Sequence, residues 1–317
     1  MLNEREIESC YLGQFIPVHY HHNMLMDGNR MDAFRDAIAH AVRPGMKVLE
    51  LGGGTGVLSF FAAQQAEKVY CVEFNPDLVR EARRFLAQNP NGHKVVVIHA
   101  DAFDYLPPEP VDVVICEMIH VAMLREKQVD VIEAFKARYL ERFGGPLPIF
   151  MPEAVVMAVQ PLQQDYSFHG YYAPIVQFQE TTAVYPGTVG LAQPAVYSVL
   201  DFAGPVDKLI AWQGSFIVEQ DGSLNALRFV TKNVLSIVQE SGSTIDWLNH
   251  YMTLPLARAL DVVAGDVVQV SLQYRAGASI PSLQAALRVT LAVDADADAG
   301  ANEEARAAAP RLVAAFA

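Results

Sequence analysis

The stretch KVLELGGGTGVLSFFAAQQA, residues 47–66, constrains the fold more than any other part of this chain. It starts as a short apolar run, passes through a glycine-rich turn and continues with helical composition. Glycine lets the backbone turn sharply there and lets a ligand approach the main chain. A second apolar run, KVYCVE, ends in Glu73, 23 residues beyond Glu50. A carboxylate at that strand tip can bind ribose hydroxyls, so the pattern predicts an α/β domain that binds a ribose-containing ligand.

Apolar runs alternate with helical segments through the first half of the chain. Strands are predicted at 47–51, 68–73, 94–101 and 111–117, and helices at 30–43, 57–66, 75–89 and 130–143. Asn75 is the expected N-cap of the third of these helices, with Pro76 at its first position. This rhythm predicts an α/β domain with a mainly parallel sheet.

The pattern changes after PLPIFMPEA, residues 146–154. Short β-rich segments separated by turns follow, which predicts a barrel or a sandwich. Asp221-Gly222, between two strand-like runs, predicts a β-hairpin. We therefore divide the chain into a domain at 1–152, a β-rich domain at 153–295 and a low-complexity tail at 296–317.

Charge and cysteine content exclude several classes of protein. A formal net charge of −13 repels the nucleic-acid backbone. No apolar run reaches about 18 residues, and the N-terminus lacks the apolar core of a signal peptide. Three widely spaced cysteines, Cys10, Cys71 and Cys116, indicate a reducing compartment. We expect a cytoplasmic protein that binds neither nucleic acid nor membranes.

Two acids bracket a mostly apolar segment, CEMIHVAMLRE, directly after the fourth predicted strand. Glu117 and Glu126 stand nine residues apart. Burying a charge is costly unless a cation pairs with it. The two acids are therefore either solvated ends of a loop or a pair that receives a cation. The histidines of HYHH, 19–22, have no Cys or carboxylate cluster at ligand spacing nearby, so we expect no metal.

The glycine turn, in the form ELGGGTG, resembles motif I of the class I S-adenosylmethionine methyltransferases. The resemblance implies S-adenosyl-L-methionine as cofactor, with Glu73 on the ribose. Asp101, which ends the third strand, stands where that family often contacts the adenine amino group. The turn residues expected at the cofactor are Glu50, Gly52, Gly54 and Gly56.

The upstream segment, residues 11–38, is similar to the N-terminal segment of the protein arginine methyltransferases. The residues at that family's offsets are Tyr11, His21, Met24, Leu25, Asp27 and Arg30. The resemblance implies that Arg30 grips the carboxylate of the cofactor's methionine half, because a fork of donors matches a carboxylate. Tyr11, His21 and Met24 would close the site over the cofactor.

The same resemblance gives Glu117 and Glu126 a role. The family has a double-glutamate hairpin after its fourth strand, with two acids at this spacing. The pair would hold a guanidinium cation, so that its free nitrogen attacks the sulfonium methyl by positioning and electrostatics. The implied fold, over residues 11–295, is a Rossmann-like class I methyltransferase domain followed by an all-β barrel-like domain. The implied acceptor is an arginine-containing molecule or a small guanidine or amine.

The chain departs from the family at several pocket positions. The hairpin lacks the family's Trp and Gly and carries His120. Asp246, before Trp247, stands where the family has a His that pairs with the acid matching Asp27. Two acids form such a pair only if one is protonated or a cation lies between them; His250 is an alternative partner. The expected substrate-pocket residues are Phe15, Asp27, His120, Asp246, Trp247 and His250.

Two further functions stay open at this point. The first is a small-molecule N-, O- or C-methyltransferase in which Glu117, Glu126, His120 or His250 acts as general base. The second is a non-catalytic scaffold that binds S-adenosylmethionine. The dimerisation arm of the family would correspond to residues 163–187, and we expect a homodimer.

Overall fold

A computed structural model describes residues 18–292 of the 317-residue chain. Its first layer is a sheet of parallel strands: β1 Lys47–Leu51, β2 Lys68–Glu73, β3 Val95–His99, β4 Val113–Cys116 and β5 Ile149–Met151. Their order is β3-β2-β1-β4-β5, and each neighbouring pair is parallel. The carboxyl ends of these strands therefore meet at one edge, where open α/β sheets bind their ligands.

Five α-helices accompany this sheet in residues 18–143, and the bounds of all but the first follow the predicted ones closely. They are α1 Tyr20–Met26, α2 Gly28–Ala41, α3 Val57–Ala63, α4 Pro76–Leu86 and α5 Gln128–Phe143. The predicted cap of α4 is confirmed, because the Asn75 side chain accepts from the Asp77 amide at 2.9 Å. Asp27 caps α2 in the same way through the Arg30 amide at 3.0 Å. Capping satisfies backbone donors that the first helical turn leaves unpaired.

The core explains why the strands read as continuous apolar runs. Every residue of β4 is buried, as are four of the five residues of β1. Parallel sheets are covered on both faces, which removes the polar face that an alternating strand would show. On one face Phe34 and Ile38 of α2 pack with Val48 and Val113. Burial on both faces therefore holds the sheet in place.

The second layer begins at Ala154, three residues after the parallel sheet ends. Within residues 154–292 its main antiparallel sheet comprises β6 Ala154–Gln164, β9 Gln177–Gln179, β10 Thr188–Gly190, β11 Ala195–Asp201, β13 Gly222–Val238, β14 Ser243–Leu248 and β15 Tyr251–Val262. The long strand β13 pairs with β6, β14 and β15, and it changes register within two of these pairings. Such irregularities bend a strand and let the sheet curl into a half-barrel. The predicted fold class is confirmed.

Smaller elements complete this layer. A second antiparallel sheet contains β12 Leu209–Ile217, β16 Val267–Arg275 and β17 Arg288–Leu291. A short hairpin joins β7 Ser167–Phe168 to β8 Tyr171–Tyr172. One helix, α6 Ile280–Ala286, interrupts the β-rich region.

The predicted hairpin at Asp221-Gly222 is wrong. Strand β12 pairs with β16 in the smaller sheet, whereas β13 belongs to the main sheet. Neither Asp221 nor Gly222 takes the positive φ that a tight two-residue hairpin turn of the predicted kind requires. The chain crosses from one sheet to the other there. The Asp-Gly pair marked a connection correctly but not the pairing of the strands beside it.

Some expectations fall beyond the described part of the chain. Tyr11, Phe15 and the tail at 296–317 lie outside residues 18–292. Among the helices of residues 18–292, none is long and apolar enough to cross a membrane.

Candidate functional site

A cavity of about 850 Å³ opens at the carboxyl edge of the parallel sheet. Both layers contribute to its wall. The lining segments include residues 21–30 apart from His22, the glycine turn, the ends of β2 and β4, residues 101–103, Glu126-Lys127, residues 180–182 and residues 247–250. The cavity thus lies where the ligands of open α/β sheets bind.

The glycine turn lies at the floor of this cavity in a conformation that favours glycine. Gly52 and Gly54 have φ of +78° and +54°. The amide of Gly52 donates to the Val72 carbonyl at 3.0 Å, which ties the turn to β2. A Cβ built on Gly54 would lie 2.9 Å from the His21 ring, too close for a side chain. The two glycines therefore allow both the turn and the close approach of α1.

Gly56 has a different role from its neighbours. Its φ is +81° and it precedes α3, but it does not line the cavity. A Cβ there would lie 3.1 Å from a methyl carbon of Leu86 on α4. Gly56 thus serves helix packing, and its predicted contact with the cofactor stays a prediction.

Two of the predicted cofactor acids face the cavity from neighbouring strands. The Glu73 carboxylate accepts from the Gly54 amide at 2.8 Å and from the Asn75 amide at 2.7 Å. Asp101 accepts from the Phe103 amide at 2.9 Å and also lines the cavity. These backbone bonds fix both carboxylates, which suits them to receive hydroxyl and amino donors.

Glu50 is the third predicted acid and the most buried. Its carboxylate accepts from the backbone amide of Ser59 at 2.9 Å and also from the Ser59 hydroxyl. Burial raises the pKa of Glu50 to about 7, although the bonds from Ser59 favour the charged form. Through its two bonds with Ser59, Glu50 links β1 to α3 beside the cavity.

Helix α1 covers the glycine turn with a histidine. The Nε2 atom of His21 is buried and has no hydrogen-bond partner among residues 18–292. Burial, followed by the charge of Arg30, lowers the pKa of His21, so the ring is neutral near pH 7. An unpaired buried nitrogen beside the glycine turn indicates that a ligand's polar group belongs there. The residues present thus fit S-adenosylmethionine.

Arg30 connects the predicted cofactor residues to the predicted catalytic acids. Its Nη2 atom lies 2.5 Å from Oε2 of Glu117, and its Nη1 atom donates to the Met24 carbonyl at 3.3 Å. The guanidinium carbon lies 5.9 Å from the Trp247 ring centroid and 5.8 Å from that of Phe34. The Arg30 side chain is buried and that of Glu117 is partly buried, at 8% and 15% exposure. The predicted cofactor arginine thus contacts the predicted catalytic acid.

Glu126 is the second acid of the pair and lines the same cavity. Within residues 18–292 it has no ion pair, whereas Glu117 is paired with Arg30. Burial first, then the charge of Glu117, raises the pKa of Glu126 to about 8. A carboxylate this costly to ionise would be stabilised by a cation in the cavity.

The predicted substrate-pocket residues do not all line the cavity. Asp246 does not line the cavity; its carboxylate lies 2.8 Å from Nζ of Lys232 on the neighbouring strand. Asp246 thus pairs with Lys232, whereas Asp27 caps α2 and lines the cavity. Trp247 and His250 also line it.

His120 is turned away from the cavity. It packs edge-on against Phe178, with ring centroids 5.6 Å apart, and its Nδ1 atom lies 3.0 Å from the Val121 carbonyl. Burial lowers the pKa of His120 to about 4. The imidazole is therefore a weak base without access to the cavity.

Sequence reasoning missed the segment from Glu180 to Thr182, which lines the cavity. These residues follow β9, and β9 pairs with β15 so that Gln179 faces Tyr251. That pairing brings Glu180 close to the mouth near His250. No local signal reveals such a long-range pairing. The structure describes no group of three or more His, Cys, Asp and Glu side chains suited to a metal within residues 18–292.

Comparisons with known sequences agree with this geometry. Residues 48–140 match a family model described as a methyltransferase domain. A protein from Methanothermobacter thermautotrophicus described as uncharacterized is 29% identical over 273 residues, 84% of this chain and 97% of that protein. The protein arginine N-methyltransferase PRMT10 of Oryza sativa subsp. japonica is 33% identical over 167 residues, 51% of this chain and 42% of the rice protein.

Solved structures resemble the whole described fold. Arabidopsis thaliana protein arginine methyltransferase 10 aligns with a TM-score of 0.68 at 20% identity, covering 83% of this chain and 89% of that chain. The Trypanosoma brucei PRMT1 enzyme-prozyme heterotetrameric complex with AdoHcy aligns with a TM-score of 0.65 at 17% identity, covering 80% and 87%. At these identities the likeness shows a shared fold, a parallel sheet followed by a curled antiparallel half-barrel.

Proposed function

Because this chain is a divergent S-adenosylmethionine-dependent class I methyltransferase of the protein arginine methyltransferase-like family, we propose that it methylates a guanidinium nitrogen held between Glu117 and Glu126. One observation carries the proposal: Glu126 lines the cavity without an ion pair, and its charge is coupled to that of Glu117. Such a pair of acids suits a planar cation that can donate to both.

The cofactor would be held by side chains on the parallel-sheet half of the cavity. Glu73 would accept from the ribose hydroxyls, Asp101 from the adenine amino group, and Arg30 would donate to the methionine carboxylate. His21 would cover the cofactor against the glycine turn, which its contact with Gly54 supports. When bound, S-adenosylmethionine supplies a methyl group carried on a sulfonium sulfur.

The acids would activate the acceptor by holding it. Glu117 and Glu126 bind two guanidinium nitrogens, draw the positive charge toward them and leave the third nitrogen with more lone-pair character. That nitrogen forms a bond to the methyl carbon while the carbon–sulfur bond breaks and its electron pair stays on sulfur. One proton then leaves the methylated nitrogen, and the Glu126 carboxylate, which lines the same cavity, would accept it.

A general base other than the acids receives less support. His120 does not line the cavity, and burial holds its pKa at about 4. His250 lines the mouth of the cavity and is exposed. The acid pair is therefore the better candidate for both acceptor binding and proton removal.

The experiment that tests the proposal is mass-resolved methyl transfer. The purified chain is incubated with S-adenosylmethionine and, separately, with free arginine, with small guanidines and with arginine-rich peptides. We expect a mass gain corresponding to one methyl group on at least one guanidine. Transfer to primary amines or hydroxyls, with every guanidine unchanged, would contradict the guanidinium assignment. The arm that gains mass separates a metabolite acceptor from a protein acceptor.

The pH dependence of the reaction follows from Glu126. An acid with a raised pKa is protonated below that value, and a protonated Glu126 cannot pair with a cation. We therefore expect kcat/KM for the acceptor to rise with pH through about 8 and then level off, because kcat/KM reports the free enzyme. The acceptor guanidinium stays charged throughout this range.

The matched control for this profile is Glu126→Gln. Its residual rate is expected to lose the inflection near pH 8. An inflection that remains in Glu126→Gln, or a wild-type profile that is flat above pH 5, would assign the titration elsewhere.

We also propose a homodimer formed through residues 163–187, in a reducing, cytoplasmic compartment. The β7–β8 hairpin supports the homodimer, since its residues Tyr171 and Tyr172 are 73% and 65% exposed. Aromatic side chains are enriched at protein interfaces. The free thiols of Cys71 and Cys116, both buried, support the reducing compartment. Sedimentation of the purified chain should give a dimer mass, and Tyr171→Ser with Tyr172→Ser should shift it to the monomer; a wild-type monomer at all concentrations would exclude the dimer.

A further inference from the structure

The segment that carries the two acids, residues 117–126 and called the acidic segment below, has an unusual backbone. Between Glu117 and Glu126, three residues other than glycine take positive φ: Ala122 at 58°, Met123 at 52° and Arg125 at 61°. L-residues rarely adopt this conformation, and they keep it only where the surroundings over-determine it. Something outside the segment must therefore hold it.

The β-rich layer supplies that hold through backbone hydrogen bonds. The Met123 carbonyl accepts from the Gly277 amide at 2.7 Å, and the Arg125 amide donates to the Ala278 carbonyl at 2.8 Å. Both partners lie just after β16. These bonds fix the distal half of the acidic segment, which is the half that leads into Glu126.

Side chains hold the residue at the centre. The Ala122 amide donates to the Thr231 hydroxyl at 2.7 Å, and the Ala122 carbonyl accepts from the Tyr274 hydroxyl at 2.9 Å. Because the Tyr274 proton points at Ala122, the Tyr197 hydroxyl, 2.9 Å from that of Tyr274, is the donor of the second bond. Tyr197 and Tyr274 are 5% and 4% exposed. Two buried hydroxyls thus run in series from the β-rich layer to the strained residue.

We infer that Tyr274 is a positioning residue for methyl transfer, acting with Thr231 to hold Ala122 in its left-handed conformation and thereby to set the geometry of Glu117 and Glu126. The inference rests on the proposed function, because it assigns the acids to the acceptor. Reacting groups tolerate little displacement: a shift of about 1 Å can lower a rate about 100-fold. A hydroxyl that never touches the acceptor can therefore control transfer.

Tyr274→Phe removes the donor and keeps the ring. It leaves the Ala122 carbonyl buried without a partner, so the acidic segment should open more often. We expect backbone amide hydrogen exchange over residues 117–127 to accelerate at least about tenfold, while exchange in β1, residues 47–51, stays as in the wild type. Unchanged exchange over 117–127 would overturn the inference.

Tyr197→Phe is the matched control. It removes the outer hydroxyl of the series, yet Tyr274 can still donate to Ala122. We expect amide exchange over 117–127 to stay within about threefold of the wild type. An effect as large as that of Tyr274→Phe would mean that the buried hydroxyl pair acts as packing and not as a hold on Ala122.

Thr231 provides a second route if Tyr274→Phe destabilises the whole fold. Thr231→Val removes the acceptor for the Ala122 amide at nearly constant volume, whereas Thr231→Ser keeps it. We expect accelerated exchange over 117–127 in the valine variant and wild-type exchange in the serine variant. Equal behaviour of the two variants would overturn the role of this hydroxyl.

Activity gives the last readout, measured with free arginine and an arginine-rich peptide. Tyr274→Phe should lower kcat about 10- to 100-fold while the affinity for S-adenosylhomocysteine changes by a smaller factor, since the glycine turn and Glu73 are untouched. Wild-type kcat in Tyr274→Phe would overturn the positioning role. Failure of the proposed function looks different: Glu117→Gln would then retain transfer, and the exchange results would be unaffected.

Discussion

Glu117→Gln is expected to lower kcat for methyl transfer to a guanidine by about 10²- to 10³-fold. On the proposed function, the carboxylate bears the charge that pairs with the acceptor, and the amide that replaces it has the same shape without that charge. Losing one preorganised electrostatic partner has an effect of this size in other enzymes. The measurement is single-turnover transfer from S-adenosylmethionine, followed by mass spectrometry, at saturating acceptor.

Glu81→Gln is the matched control for this variant. Glu81 lies on α4, outside the cavity, where it pairs with Arg84 at 2.7 Å. Exposed ion pairs contribute little, so this variant should transfer at the wild-type rate. If Glu117→Gln kept wild-type transfer, the acceptor would not be held by Glu117, and the guanidinium mechanism would fall with it.

Arg30→Lys is expected to weaken cofactor binding by about 10- to 100-fold, which corresponds to the roughly 1.5–3 kcal/mol of a hydrogen bond to a charged group. Lysine keeps the charge but lacks the planar fork that matches a carboxylate and stacks on Trp247. In the structure that fork spans from Glu117 to the Met24 carbonyl, which a single ammonium cannot do as well. Calorimetric titration with S-adenosylhomocysteine measures the change.

The control on the same helix is Arg35→Lys. Arg35 is 54% exposed and pairs with Asp32 at 2.8 Å, so its replacement should leave the affinity unchanged. Cofactor affinity in Arg30→Lys equal to that of the wild type would remove Arg30 from the cofactor site and leave it only the ion pair with Glu117.

The sequence was most informative where chemistry depends on adjacent residues. The glycine turn, the cap at Asn75 and the apolar strands follow from local rules: a turn that favours glycine, an unpaired amide that a side chain satisfies, and a sheet covered on both faces. The bounds of β1 and β2 agree with prediction to the residue. Tertiary packing had little to add at these positions.

Local rules were insufficient where a partner lies far along the chain. Lys232 pairs with Asp246 from a neighbouring strand, and Tyr274 donates to Ala122 across 152 residues. The Asp221-Gly222 hairpin was wrong for the same reason, because strand pairing depends on the whole sheet and not on the turn alone. His120 was predicted to lie in the substrate pocket as a possible general base, yet its ring packs against Phe178.

On the proposed function, the ion pair between Arg30 and Glu117 would make the binding of the cofactor and the binding of the acceptor thermodynamically dependent on each other. Arg30 and the acceptor compete for the Glu117 carboxylate. The cofactor's own carboxylate competes with Glu117 for Arg30. A cofactor that draws Arg30 away makes Glu117 more available, so it raises acceptor affinity. Linkage then requires the acceptor to raise cofactor affinity by the same factor. Titrating S-adenosylhomocysteine with and without arginine measures that factor directly, and a factor of one would separate the two sites.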